Sequence, residues 1–418
     1  MCTDEPSFDG GKLAAQQHRR DPAKEGTADV DGTTRPALAR RWQEYGHEPS
    51  PGHWAWASTG LRQTVADDAV LAVYPRAGSA SATSGGSVPA PASGGLPVKA
   101  IVFDGAGGNE VVSLKRLPDP VPADDQVVVA ARYAGVNWAD VAQRTGHYPP
   151  PPGAPADIPG LEVAGVVTEI GSSVRTWHRG DRVFGIVGGG GLADRVLAHE
   201  RHVTAVPPDP PEDVAAAVPE AHITAHDAVF TRARLRLGEV LLVNGANGAV
   251  GSAAVRLGLA SGARVLANVR SMEAAAALAD EGAQVVTPET AADRLKAAGG
   301  ADVVLELVGA LNIDLDLSSL APQGRIVVVG TSGGEQATIS LRHLMSSRAS
   351  LYGTVLRARP LEEKAAAVQA FARSVVPLLA AGRTLPAIDR AFPATQAAGA
   401  FDYLARPGKF GKILLEFS

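Results

Sequence analysis

The residues with the clearest chemical purpose lie in one short turn. Gly245, Ala246, Asn247, Gly248, Ala249, Val250 and Gly251 follow the apolar run Val240–Val243 after a single residue, Asn244. They open the stretch Ser252–Ala260, whose small and apolar residues fall on one helical face, and Ala263–Ala267 follows as a second apolar run. Strand, glycine turn, helix, strand is a βαβ unit. Such a turn holds a pyrophosphate. Gly248 lets the backbone approach the phosphates, Gly251 lets the helix pack closely on the strand, and the free N–H groups of the helix start face the anion. The pattern departs from G-x-G-x-x-G at its first glycine, where Ala246 stands after Gly245. The surrounding strand and helix support the reading more than the glycines do. The plain alternative is a βα turn that binds no nucleotide.

The end of the second strand selects the dinucleotide. An acid about twenty positions past the glycines would hold an NAD ribose. Here the residues are Asn268-Val269-Arg270-Ser271. No carboxylate repels a 2′-phosphate, and a guanidinium and a hydroxyl can bind one, so the reading is NADPH. The competing reading makes Arg270 a solvated surface charge.

These residues need a scaffold. Strands are expected around Leu242, Leu266, Val285, Val304 and Val328, with Ser350–Thr354 as a sixth and helices between several of them. That alternation describes a doubly wound parallel sheet. Val308-Gly309 and Val329-Gly330-Thr331 close the fourth and fifth strands, where such sheets place ligands. Upstream, Val98–Phe103, Gln126–Ala131, Gly160–Ile170 and Arg182–Ile186 read as strands, and Ala139–Thr145 as a helix with Asp140 in its first turn. Short strands and many turns make this a β-rich, barrel-like lobe. Lys364–Ala381 reads as a final long helix. Ala387–Phe392 and Lys412–Phe417 read as strands that return to the β-rich lobe.

The first 97 residues differ in character. Met1–Thr34 is polar and charged and reads as disordered, Ala37–Tyr45 fits a short helix, and Ala77–Gly95 is a linker of small residues and proline. Trp42, Trp54 and Trp56 are unusual for a linker. The segment is either a small docking element or upstream sequence with little folded role, and the second is favoured slightly.

Composition sets the remaining bounds. The chain has 418 residues, 45% hydrophobic and 20% charged, with a net charge of −5. That length supports two or three domains with a sizeable core. The acidic balance argues against a general nucleic-acid or anionic-membrane surface. Cys2 is the single cysteine, so neither an internal disulfide framework nor a multi-thiolate zinc site can form. No run of about twenty apolar residues is present, and the acidic start lacks the apolar core of a secretory signal. A cytoplasmic protein fits.

Six segments in collinear order carry a family resemblance: GVNWADVAQRTGHYP (135–149), PGLEVAGVVTEIGSSV (159–174), GDRVFG (180–185), ITAHDAVF (223–230), the glycine stretch, and KFGKILLEF (409–417). Together they resemble the quinone oxidoreductase branch of the medium-chain dehydrogenase/reductase family, over residues 98–418. The resemblance implies an α/β architecture of two parts. A GroES-like catalytic domain spans 98–221 and is completed by 355–418. A Rossmann domain spans 222–354, and 1–97 is a mostly disordered extension. It also implies a soluble enzyme, commonly a homodimer. Zinc-dependent relatives carry a Cys in the segment matching Gly135–Asp140 and a His at Leu161. This chain has neither, so no metal is expected.

The resemblance places Asn137, Asp140 and Tyr148 at the substrate pocket. Asn137 offers an amide donor, and Tyr148 a phenol that can donate to a carbonyl oxygen or relay a proton. Each has a plainer reading: a turn former, a helix-start carboxylate, a loop aromatic packed on prolines. Thr224 matches a threonine near the nicotinamide, though a hydroxyl bonded to the preceding helical turn is the alternative. Val308, Gly330 and Lys412 complete the cofactor set, Lys412 against the alternative of a surface lysine. His147 and His222 also stand as cleft candidates of lower weight. The expected activity is hydride transfer from NADPH to a quinone or an α,β-unsaturated carbonyl. The alternatives are an enoyl reductase acting on CoA- or carrier-bound chains and a non-catalytic NADPH-binding sensor.

Overall fold

The computed structural model describes residues 97–270 and 276–418. The readings made on residues 1–96 and on Ser271 lie outside them. The described residues fall in one unit.

The β-rich part begins with β1 (Val98–Phe103) paired antiparallel to β2 (Val112–Leu117). Then come β3 (Gln126–Ala130), β4 (Tyr133–Val136), α1 (Trp138–Arg144), β5 (Glu162–Ile170), β6 (Arg182–Ile186), β7 (Arg195–His199) and β8 (Val203–Ala205). An antiparallel sheet runs β7-β3-β5-β6-β8. The short helices α2 (Glu212–Ala216) and α3 (Pro219–His226) lead out of it, and α3 continues into a π-helical turn, Asp227–Arg232.

The parallel part follows as β9 (Val240–Asn244), α4 (Ala249–Ala260), β10 (Arg264–Asn268), α5 (Ala276–Asp280), β11 (Gln284–Val286), α6 (Pro288–Ala298), β12 (Ala301–Glu306), α7 (Ile313–Ser318), β13 (Leu320–Val328), α8 (Leu341–Ser347) and β14 (Ser350–Gly353). The six strands lie in the order β11-β10-β9-β12-β13-β14, all parallel. Every residue of β9 is buried, as expected for a strand covered on both faces. The strand order reverses between β9 and β12, which puts the switch point of the sheet at the glycine turn.

The chain then returns through α9 (Leu361–Ser374), α10 (Val376–Ala380), β15 (Ile388–Pro393), α11 (Ala397–Ala405) and β16 (Lys412–Glu416). β16 lies between β15 and β4, so the C-terminus completes the β-rich part. Here the expectation of one final helix over Lys364–Ala381 fails. Pro377 lacks the N–H that would continue α9, and the helix breaks at Val375. A further helix, α11, comes later and buries Phe401 against Phe103. No described helix is long and apolar enough to cross a membrane.

The start of α4 sits hard against β9. A Cβ on Gly251 would come within 2.3 Å of the Gly245 carbonyl oxygen, whereas one on Gly248 meets nothing nearer than 3.6 Å. Gly248 also has an ordinary φ of −77°. Gly251→Ala therefore costs about 1–3 kcal/mol by overpacking, read as a lower urea midpoint. Gly248→Ala keeps the midpoint and weakens dinucleotide binding, because its methyl group enters the phosphate space.

Candidate active site

The glycine turn has the shape an anion needs. Gly245 is left-handed, with φ +74°, and Gly248 caps α4 with open space above it. The C-terminal loop is stitched to this turn. Gly411 N–H donates to Asn247 O at 2.9 Å, and Asn247 Nδ2 donates to Lys409 O at 3.1 Å. The stitch brings Lys409 within electrostatic reach of Arg270, which is exposed at the end of β10. Burial first, and the Arg270 charge second, hold the Lys409 ammonium below its usual range. Two cations thus flank the turn, and the residue at the end of β10 is Asn268 rather than an acid. The buried Asn268 Oδ1 has no hydrogen-bond partner among the described residues. An open glycine cradle flanked by two cations fits the phosphates of a dinucleotide.

Beneath the turn lies a buried acid–amide network. Asn244 Nδ2 donates to Glu306 Oε2 at 2.6 Å and to Asp316 Oδ1 at 2.7 Å, and Asn268 Nδ2 donates to Asn244 Oδ1 at 2.8 Å. Asp316 and Glu306 are both 0% exposed. Burial, then the Glu306 charge, push the Asp316 carboxyl well above the usual range. As a carboxylate, Asp316 Oδ2 has no partner; with a proton it donates to Glu306. Glu306 Oε1 in turn accepts from the N–H groups of Val308 and Gly309, which fixes the strand end expected to pass the nicotinamide. Gly330 N–H donates to Glu306 O at 3.3 Å and ties the neighbouring strand end to the same residue.

The substrate-side residues converge on Glu162 of β5. Its carboxylate accepts from Asn137 Nδ2 at 2.9 Å and from the Glu220 N–H at 2.9 Å, and it pairs with the Lys412 ammonium. Lys412 Nζ also donates to Asn137 Oδ1 at 2.6 Å. Gly135 permits this arrangement, since a Cβ there would lie 2.2 Å from Glu162 Oε1. Lys412, expected beside the cofactor, thus has its ammonium bonded inside the protein at 1% exposure. The Asn137 amide, expected as a donor to substrate, already has Glu162 and Gly135 O as acceptors. Asp140 Oδ2 accepts from Asn137 N–H at 2.8 Å and Oδ1 from Gly160 N–H at 3.0 Å, so it closes the start of α1 and pins the next loop. Burial pushes its carboxyl up to about 6, against those two N–H bonds and the Lys412 charge.

Tyr148 keeps its phenol free of hydrogen bonds among the described residues. Its backbone oxygen accepts from the buried Arg357 at 3.0 Å, and the guanidinium lies over the ring at 5.1 Å. Arg357 also donates to Gly188 O at 2.9 Å and to Gln143 Oε1, so one side chain holds the loop of Tyr148 to the glycine run 188–191. Burial raises the Tyr148 phenol above its ordinary value, Arg357 opposes that, and Glu220 adds to it. Thr224 lies on α3, 7% exposed, with its hydroxyl 3.5 Å from Glu220 Oε1. A cavity of about 560 Å³ opens between the proline loop Pro151–Pro155, Gly188–Gly190 and Lys364.

The two histidine candidates bond within the chain. His147 is exposed and bonded to Thr145. His222 is buried between the Val218 and Thr384 carbonyls, and burial lowers its pKa to about 4. Sequence reading missed Glu162, Glu220, Arg357, Lys364 and Lys409. Only Glu162 and Lys409, inside segments already singled out, carried a local signal.

The described fold and site are those of a two-part dehydrogenase with a dinucleotide cradle at the sheet switch point. Two family models match: the alcohol dehydrogenase GroES-like domain over residues 123–208 and the zinc-binding dehydrogenase over 249–373. The chain is 31% identical to a quinone oxidoreductase of Lama guanicoe over 333 residues, 78% of this chain and 99% of that one. It is 36% identical to the spectinabilin polyketide synthase system protein NorB of Streptomyces orinoci over 321 residues, 74% of this chain and 14% of that protein. The structure of a Pseudomonas syringae pv. Tomato DC3000 quinone oxidoreductase matches with a TM-score of 0.67 at 28% identity, covering 77% of this chain and 100% of that one.

The chain belongs to the medium-chain dehydrogenase/reductase family, in its quinone oxidoreductase-like branch. It is an oxidoreductase that binds a nicotinamide dinucleotide.

The Glu162–Lys412 pair yields a test. Lys412→Met removes one member of a buried pair and strands the other charge. It costs about 3–5 kcal/mol, read as a large fall in the urea midpoint, and Glu162→Gln combined with it recovers part of the loss.

Proposed function

We propose that this protein is a zinc-independent, NADPH-dependent reductase of quinones or α,β-unsaturated carbonyls. The observation that carries the reading is the pair of cations, Arg270 and Lys409, at a glycine turn whose strand ends in Asn268 instead of an acid. A 2′-phosphate suits that arrangement, and a bare ribose diol does not require it. Val308 and Gly330 line the strand ends beside it. When bound, the cofactor supplies a hydride; the chain supplies orientation, water exclusion and a proton.

Zinc independence rests on the donor set. The two positions at which zinc-dependent relatives carry ligands hold Leu161, an alkyl side chain buried at 2% exposure, and Asn137, whose amide is bonded to Glu162 and Lys412. Charge developing on a substrate oxygen is then met by the Tyr148 phenol, a donor with no partner among the described residues. Asn137 and Asp140 act by holding the loop that carries it.

A second reading is favoured by the match to a polyketide synthase system protein, which exceeds in identity the match to the quinone oxidoreductase. In that reading the substrate of this chain is an enoyl group on a thioester. Homodimerisation fits the outer edge of the parallel sheet. Among the described residues strand β14 is the edge of its sheet and exposes Leu351 and Tyr352, while α8 exposes Leu341 and Met345. An apolar sheet edge of this kind invites a second copy.

One panel tests the chemistry: NADPH and NADH consumption with 1,4-benzoquinone, an alkyl enone and crotonyl-pantetheine. NADPH-dependent turnover of the first two is expected, and preference for the thioester selects the second reading. Binding without turnover on any of them selects the sensor. Tyr148→Phe lowers kcat about 10²-fold with the NADPH Kd unchanged, whereas Arg270→Ala with Lys409→Ala weakens NADPH about ten-fold or more and leaves NADH unaffected. In sedimentation velocity the protein runs at twice its 42.9 kDa chain mass, and Tyr352→Lys with Met345→Glu returns it to the monomer.

A further inference from the structure

The cavity beside the loop of Tyr148 is reached by a buried charge that no described residue answers. It measures about 560 Å³, within the range that takes a small organic ligand. Ile158, Val187 and Leu197 give it apolar walls, and among the described residues no acid lines it. Three basic side chains reach it. Arg195 pairs with Asp119 at 2.8 Å and with Glu169 at 2.6 Å. His199 accepts the Arg201 N–H at Nδ1 and faces Asp125 through Nε2 at 3.3 Å. Lys364, on α9, is 7% exposed, and its ammonium makes no hydrogen bond or ion pair among the described residues.

That ammonium stands at the seam between two loops. A Cβ on Gly188 would lie 3.0 Å from Pro151 Cγ, 3.4 Å from Ala154 Cβ and 3.7 Å from Lys364 Nζ. The glycine run, the proline loop and the lysine tip therefore meet at one point of the cavity wall. The same run carries unpaired donors. Gly190 N–H donates to Ile158 O at 2.8 Å and Gly191 N–H to Gly160 O at 3.2 Å, whereas the N–H groups of Gly188 and Gly189 have no acceptor among the described residues. Burial holds the Lys364 ammonium below its usual range; the Glu220 carboxyl opposes this from α3 without bonding to it, and the Arg357 charge adds to it. A charge this deep is normally paired, and an acceptor is what this corner lacks.

We propose that this cavity binds a small organic carboxylic acid as its anion. The carboxylate is taken by Lys364, with the free N–H groups of Gly188 and Gly189 beside it, and the apolar ring or chain of the acid lies against Ile158, Val187 and Leu197. One free ammonium matches a monoanion, and the apolar walls call for a hydrocarbon body that inorganic phosphate lacks. Arg357 joins the cavity to the proposed chemistry: it donates both to Gly188 O and to Tyr148 O, so an acid seated here is one side chain away from the loop that carries the phenol. The assignment goes beyond the reductase reading and does not require it.

Calorimetric titration of the full-length protein tests this with 3-phenylpropionate, 3-phenylpropionamide and inorganic phosphate. Saturable binding of the acid is expected, with the amide about ten-fold weaker and phosphate weaker than the acid. Lys364→Met keeps the length of the side chain and removes its charge. It is expected to weaken the acid about ten-fold or more, to leave the amide unchanged, and to keep or raise the urea midpoint, because an unpaired buried charge is gone. Lys364→Arg restores binding of the acid. Ala154→Phe fills the cavity from the proline loop; it is expected to abolish binding of acid and amide alike, and it carries the test if the Met variant does not fold. Arg270→Ala with Lys409→Ala leaves the acid bound, which separates the cavity from the dinucleotide turn. The proposal is overturned by no saturable binding of the acid, by equal affinity for it in Lys364→Met or Ala154→Phe, by phosphate binding as tightly as the acid, or by loss of the acid in the Arg270 and Lys409 variant. None of these readouts needs turnover, so they stand or fall apart from the reductase reading.

Discussion

The site hangs on one buried carboxylate. Glu162 sits on β5 and reaches Lys412 on β16, the amide ahead of α1 and the first turn of α3. Those elements come from three distant stretches of sequence. A charge this deeply buried is tolerable only when its lone pairs are all met, and here each contact also fixes an element that lines the cleft. β16 continues from the loop stitched to the glycine turn, so the same ion pair that orders the substrate side also sets where the C-terminal loop meets the dinucleotide cradle. The cost of burying charge is offset by registration of the two halves.

Both halves of the cleft bury acids with unequal sets of donors. Below the glycine turn, burial and the neighbouring Glu306 push the Asp316 carboxyl up, while Glu306 accepts from the backbone of Val308 and Gly309. On the substrate side, Asp140 and Glu162 are met by donors and Glu220 is not. The low dielectric raises the stakes of every such choice. Few donors then remain unassigned, and the Tyr148 phenol stands out among them. Arg357 holds it by backbone bonds and by its position over the ring.

The parallel sheet was legible because its strands are covered on both faces and read as unbroken apolar runs such as Val240–Val243. The glycine turn was legible because its backbone needs small residues where α4 meets β9. Asn137, Asp140 and Tyr148 were found through a resemblance rather than a pattern, and their local bonds came from the structure alone. What escaped is long-range. Arg357 and Gln143 are 214 positions apart, and nothing near either announces the other. Lys412 read as a cofactor lysine because its segment matched, while its true partner lies on β5. Glu220 drew no reading in the sequence; only its surroundings in three dimensions, Glu162 and Asp140, distinguish it. The break at Pro377 went unread, although the proline stands in plain view, and α11 went unread as well.

The most direct test of the account is an equilibrium titration of the full-length protein with NADPH and NADH, followed by nicotinamide fluorescence. The account predicts saturable binding of both at one site per chain, with NADPH the tighter ligand and its advantage shrinking as salt screens Arg270 and Lys409. No saturable binding of either nucleotide would contradict it.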